Sequence, residues 1–141
     1  MRKIRILWTD DEIEILKAHV LFLREKGYEV DTCTNGIDTV DLVRHNPYDL
    51  IFLDETMPGL SGLETLRLIK EVRSDIPVVM ITGFGPPEYP AIEFKKFIHH
   101  RSAVPPPDGY LEKPINPNEL LETIAAIFEN RKPKGIQGEL A

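Results

Sequence analysis

Leu50-Ile51-Phe52-Leu53-Asp54, followed by Glu55-Thr56-Met57-Pro58-Gly59, is the stretch on which the fold turns. Four consecutive apolar residues between Pro47 and a Pro-Gly turn read as a strand buried on both faces, and this strand ends in a carboxylate. A central strand of an open parallel α/β sheet delivers its last residue to the crevice at the strands' carboxyl ends, where such folds bind ligands. Asp54 is therefore a candidate nucleophile.

Working outward, the same grammar repeats on both sides. Ile4 to Trp8 is a short β-type run that stops at Thr9-Asp10-Asp11-Glu12, and Ile13, Leu16, Val20 and Leu23 then recur at helical spacing up to Gly27. Val30 to Thr34 reads as a more polar strand near the sheet edge, and Asn35-Gly36 opens a helix through Val40 and Val43 to about His45. Downstream, Ser61-Gly62 leads into a helix with Leu63, Leu66, Ile69 and Val72 on one face, and Pro77 introduces the apolar run Val78 to Ile81, closed by Thr82. Gly109 to Lys113 reads as a last short strand. Asn116-Pro117-Asn118-Glu119 is a helix start, with an Asn cap and Pro at the first helical position, ahead of Leu120, Leu121, Ile124, Ile127 and Phe128. Strands alternating with helices predict right-handed βαβ units and a doubly wound five-stranded parallel sheet flanked by helices.

The regularity breaks between Thr82 and Gly109. Residues 83–108 hold Pro86, Pro87, Pro90 and the triplet Pro105 to Pro107, half of the 12 prolines in the chain. A short basic helix around Ile92, Phe94, Phe97 and Ile98 is expected there, then an extended polyproline stretch. From Arg131 the chain turns polar, so 1–131 is expected to be one domain and 132–141 a linker or tail.

Bulk properties bound the function. At 141 residues, 42% hydrophobic and 28% charged, the chain suits one globular domain. A net charge of -6 argues against direct nucleic-acid binding, and no apolar run suggests a membrane span or leader, which makes the cytoplasm the expected compartment. Cys33, the sole cysteine, reads as a small buried hydrophobe, and His19 and His45 as solvated helix residues.

Polar groups gather at the strand ends: Asp10 and Asp11, Asp54, Thr82 and Lys113. Three crowded carboxylates repel one another, by about 3 kcal/mol per pair at about 5 Å and an effective dielectric of about 20. A hard divalent cation relieves that repulsion, and Mg²⁺ takes such oxygen ligands while leaving room for a phosphate. With Lys113 it would neutralise a transferring phosphoryl group, Asp54 would attack in line, and Thr82 could bond the attached group. Singly, each residue has a plainer reading: an acidic pair caps helices, a lone Asp sits in a turn, a lone Lys lies on the surface.

The motifs "WTDDE", "IFLDETMPGLSG", "VVMITG" and "YLEKPINPNEL", in this order and each at a strand end, resemble the receiver domain of bacterial two-component response regulators over residues 3–130. That flavodoxin-like (CheY-like) family implies that Asp54 accepts phosphate from a sensor histidine kinase. It implies that Asp11, Asp54 and the Thr56 backbone carbonyl bind Mg²⁺ with Asp10 acting through water, and that Thr82 and Lys113 contact the phosphoryl group. It also implies a cis Lys113–Pro114 bond and Tyr110 as the switch aromatic. The output would be a separate domain or partner protein, or a homodimer through the face made by the family's fourth helix, last strand and last helix. Residues 3–82 look closest to PorX-type receivers.

The proline-rich 83–108 segment departs from the family in the place of that fourth helix, either as a remodelled partner surface or as an excursion. Thr56 and Phe84 stand where the family tunes dephosphorylation, and neither positions water as an acid or amide does, so a long-lived phosphoryl group is expected. Competing readings are a pseudo-receiver that binds partners without phosphate and a haloacid-dehalogenase-like phosphatase. The latter normally needs an acid two residues after the nucleophile, where Thr56 stands.

Overall fold

A computed structural model describes residues 2–83 and 105–130. The elements are β1 (Arg5–Thr9), a 3-10 turn (Ile13–Leu16), α1 (Lys17–Glu25), β2 (Glu29–Cys33), α2 (Gly36–His45), β3 (Leu50–Asp54), α3 (Gly62–Val72), β4 (Val78–Thr82), β5 (Gly109–Glu112) and α4 (Pro117–Asn130). The expected basic helix around residues 92–98, Phe84 and the 132–141 tail lie outside the described residues. Pro105 to Pro107 carry neither helix nor strand.

All strand pairs are parallel, in the order β2-β1-β3-β4-β5, which places the polar strand β2 at an edge and β3 at the centre as expected. Alternation along β3 sorts its side chains. Leu50 and Phe52 join the core under α1 and α4, while Ile51 and Leu53 join the core under α2 and α3. Both faces are covered, so every β3 residue is buried. Truncating Phe52 to Ala would cost about 3–5 kcal/mol.

Helix ends follow their sequence signals. The Asn35 side chain accepts the Asp38 amide and that of Ser61 accepts the Glu64 amide. Gly27 closes α1 with φ 98°, a left-handed turn that favours glycine. The Asn116 side chain takes the Asn118 amide at the start of α4. At the start of α1 the plainer reading of the acidic pair, as a helix cap, does not hold. Neither Asp10 nor Asp11 caps a helix; a 3-10 turn intervenes, and Asp10 Oδ1 instead accepts the Glu12 amide at 2.8 Å.

The strand order reverses between β1 and β3, because the chain leaves β1 toward β2 on one side and β3 toward β4 and β5 on the other. The connections therefore diverge there and open a crevice at the carboxyl ends of β1 and β3.

Candidate functional site

Asp10 and Asp11 leave the end of β1, Asp54 ends β3, and Lys113 follows β5. One carboxylate oxygen from each of the three acids lies within 4.8 Å of the others. Lys113 reaches in from the far side, its Nζ 2.7 Å from Asp10 Oδ2 and 3.2 Å from Asp54 Oδ1. Asp10 is fully buried and Asp54 nearly so, whereas Asp11 is exposed. Four residues drawn from three strand ends far apart in the chain thus share one corner, as strand-end placement requires.

The backbone around them is tightly fixed. The Lys113 amide donates to the Thr82 carbonyl at 2.9 Å, the Glu55 amide to Ile81 at 3.0 Å and the Gly62 amide to Glu55 at 3.1 Å. A Cβ at Gly62 would strike the carbonyl of Asp54 and come within 2.6 Å of the Glu55 Cα, so only glycine lets the start of α3 close on the end of β3. The Lys113–Pro114 bond is cis.

Charge in this corner is under strain. Burial, reinforced by the Asp10 carboxylate, pushes the Asp54 carboxyl up to about 7, even against the pull of Lys113. Burial alone would lower the Lys113 pKa, but Asp10 and Asp54 outweigh it and hold the ammonium above its ordinary value. Among the described residues, three clustered carboxylates have one ammonium beside them. An all-oxygen donor set of this kind can hold a hard divalent cation, which would restore the balance.

The other expected site residues are placed as follows. Thr82 is buried at the end of β4, and its hydroxyl donates to the Leu111 carbonyl at 3.3 Å. Thr56 lies exposed in the loop two residues beyond Asp54. Tyr110 sits opposite Met80 in β5, half-buried against the core under α2 and α3, and burial raises its phenol pKa. Cys33 is buried. Trp8 is fully buried two residues before the acidic pair, packed on the Phe52 ring at 5.1 Å.

Two residues carry more than their sequence context signalled. His19, expected to be solvated, is half-buried: its Nε2 lies 2.7 Å from the Ile115 carbonyl, with its ring edge-on to Trp8, and so ties α1 to the loop after Lys113. His45 is exposed as expected. Glu55 is half-buried, with Oε1 accepting the Gly83 amide at 3.2 Å. Burial raises its pKa against the opposing effects of that hydrogen bond and of Lys113. Its only sequence signal was adjacency to Asp54.

Residues 6–125 match the response regulator receiver domain family. The chain is 32% identical over 124 residues to the transcriptional regulatory protein CpxR homolog of Haemophilus influenzae, covering 88% of this chain and 50% of the relative. It is 32% identical to the regulatory protein VanRB of Enterococcus faecalis over 125 residues, covering 89% and 52%. The chain therefore spans about half the length of the curated relatives it matches. Among solved structures, a CheY-like response regulator receiver domain protein from Methanospirillum hungatei superposes with a TM-score of 0.75 at 27% identity, covering 91% of this chain and 96% of that one. The Vibrio cholerae chemotaxis protein CheY4 does so with a TM-score of 0.72 at 26% identity, covering 89% and 99%. Among the described residues no helix is long and apolar enough to cross a membrane.

Proposed function

Because the chain belongs to the response regulator receiver domain family of two-component systems, we propose that Asp54 is its phosphoacceptor and that phosphorylation there sets its conformational state. The observation that carries this reading is the Lys113 ammonium seated at 2.7 Å from Asp10 and 3.2 Å from Asp54, beside an acid cluster that could hold a divalent cation.

An ionised Asp54 oxygen attacks the phosphorus of a phosphohistidine on a sensor histidine kinase. The new P–O bond forms as the P–N bond breaks, and the electron pair leaves with the imidazole. Lys113, pinned through its own amide to Thr82, holds positive charge where the phosphoryl oxygens gain negative charge. The Thr82 hydroxyl exchanges its Leu111 acceptor for a phosphoryl oxygen. Asp11, Asp54 and the Thr56 carbonyl, with Asp10 through water, would hold Mg²⁺, which supplies charge neutralisation when bound. Tyr110, packed at the β5 edge, would change its packing with Thr82 and pass the state to an output domain or partner, or to a second copy through the β5–α4 side. Residues 1–131 would form this receiver unit, working in the cytoplasm. With Thr56 two residues beyond the acceptor, the phosphoryl group would be long-lived.

Acetyl phosphate with Mg²⁺ tests this directly by intact mass. One phosphoryl increment is expected on the wild type and none on Asp54→Ala. A wild type that stays unlabelled, or a variant labelled equally well, would overturn it. Loss of the label within seconds would overturn the long-lived state alone.

A further inference from the structure

The donors at the carboxyl ends of β4 and β5 are already taken. The Lys113 ammonium is shared by Asp10 and Asp54, the Thr82 hydroxyl is held by the Leu111 carbonyl, and the Gly83 amide is held by the Glu55 carboxylate at 3.2 Å. Of these acceptors Glu55 differs in kind. It is an acid that lies outside the cluster able to hold a cation, and it follows the acceptor directly in the chain.

Its setting is costly for a carboxylate. Glu55 is half-buried, and what offsets its desolvation is one backbone amide and the field of Lys113. A phosphoryl group on Asp54 brings further negative charge and three acceptor oxygens into the reach of that same ammonium. One ammonium and one amide cannot satisfy both anions as well as either alone.

We propose that Glu55 is an internal competitor of the phosphoryl group: its carboxylate holds the Gly83 amide in the unmodified protein, and it gives way when Asp54 is phosphorylated. Glu55 would then set how readily the switch turns on, because part of the phosphoryl group's binding goes into displacing it. This rests on Asp54 being the acceptor, and adds to that reading a residue that tunes the acceptor without touching the cation.

The test uses the full chain with saturating Mg²⁺ and beryllofluoride, a stable stand-in for the phosphoryl group, titrated calorimetrically into the wild type, Glu55→Gln and Glu55→Ala. Gln keeps the size and an acceptor oxygen but removes the charge, so it guards against a fold effect. Both variants are expected to bind beryllofluoride about fivefold or more tightly than wild type, with Mg²⁺ affinity little changed. The Gly83 amide resonance should differ between wild type and Glu55→Ala in Mg²⁺ alone and converge when beryllofluoride is added. Variants that bind beryllofluoride no better than a wild type that does bind, or a Gly83 resonance that beryllofluoride leaves in place, would overturn the competitor role. A folded wild type that takes up no beryllofluoride would instead bring down the acceptor reading, and this inference with it.

Discussion

The two ends of the sheet treat their acids in opposite ways. At the amino ends of the strands, Asp49 receives both arms of the Arg2 guanidinium at 2.7 and 2.9 Å and the Arg5 amide at 2.8 Å. Asp108 there receives Lys70 at 3.0 Å and the Val78 amide at 2.8 Å, fixing the entry to β5. Each acid has its own donors, and hydrogen bonding to Arg2 holds the Asp49 carboxyl below its ordinary range despite partial burial. At the carboxyl ends, Asp10 and Asp54 share Lys113 with Asp11 crowded beside them, and Asp54 is pushed up to about 7. The satisfied end holds the chain in register. The contested end stores a charge conflict that a cation and a phosphoryl group can resolve, and local inconsistency of this kind marks functional sites.

That contrast can be broken from either end. Lys113→Ala removes the ammonium that Asp10 and Asp54 share, and acetyl phosphate labelling should slow by roughly 100-fold, as for loss of a charge-stabilising donor; mass spectrometry over a time course checks this. Asp49→Ala should do the reverse. It should cost about 2 kcal/mol in urea unfolding, the scale of hydrogen bonds to a charged group, while the labelling rate stays as in wild type. Equal effects of the two substitutions on labelling would erase the distinction.

Acidity sharpens it further, since the two carboxyls respond with opposite signs. Asp54 is raised, so the metal-free fold gains most from it below the ordinary carboxylate pKa and loses that gain as pH rises through about 7. Asp49 is lowered, so its contribution is present at neutral pH and is lost as pH falls through its depressed value. A cation must displace the Asp54 proton, so Mg²⁺ affinity should fall about tenfold from about pH 8 to about pH 6. Calorimetric titration at several pH values checks this, and a flat profile would contradict it. The smallest effect is expected at His19, which ties α1 to the loop after Lys113. His19→Leu loses the hydrogen bond to Ile115, at a cost of about 1 kcal/mol in thermal or urea unfolding. His19→Gln, which can still donate, should recover part of it.

Residues near in sequence made much of this architecture legible. The apolar run from Leu50 to Leu53 and its twin at Val78 to Ile81 announced buried parallel strands, and Asn35, Ser61, Asn116 and Gly27 marked helix ends where they are observed. The 3-10 turn after Asp11 was not legible, because the Asp10 side chain turns back to the Glu12 amide and the helical spacing from Ile13 carried no sign of it.

Of the corner itself, the ingredients are written in the order of residues: which of them close each strand, and hence that Asp10, Asp11, Asp54, Thr82 and Lys113 lie along one edge. A period of two or 3.6 residues and a strand-ending side chain are local properties, readable without coordinates. How these groups share their partners follows from the packing of the folded chain. Lys113 bonds Asp10 as well as Asp54, Glu55 takes the Gly83 amide 28 residues away, and His19 reaches the Ile115 carbonyl across 96. Contacts of that span depend on how strands and helices pack, and so do the burial and the shifted acidity of Asp54 that follow from them.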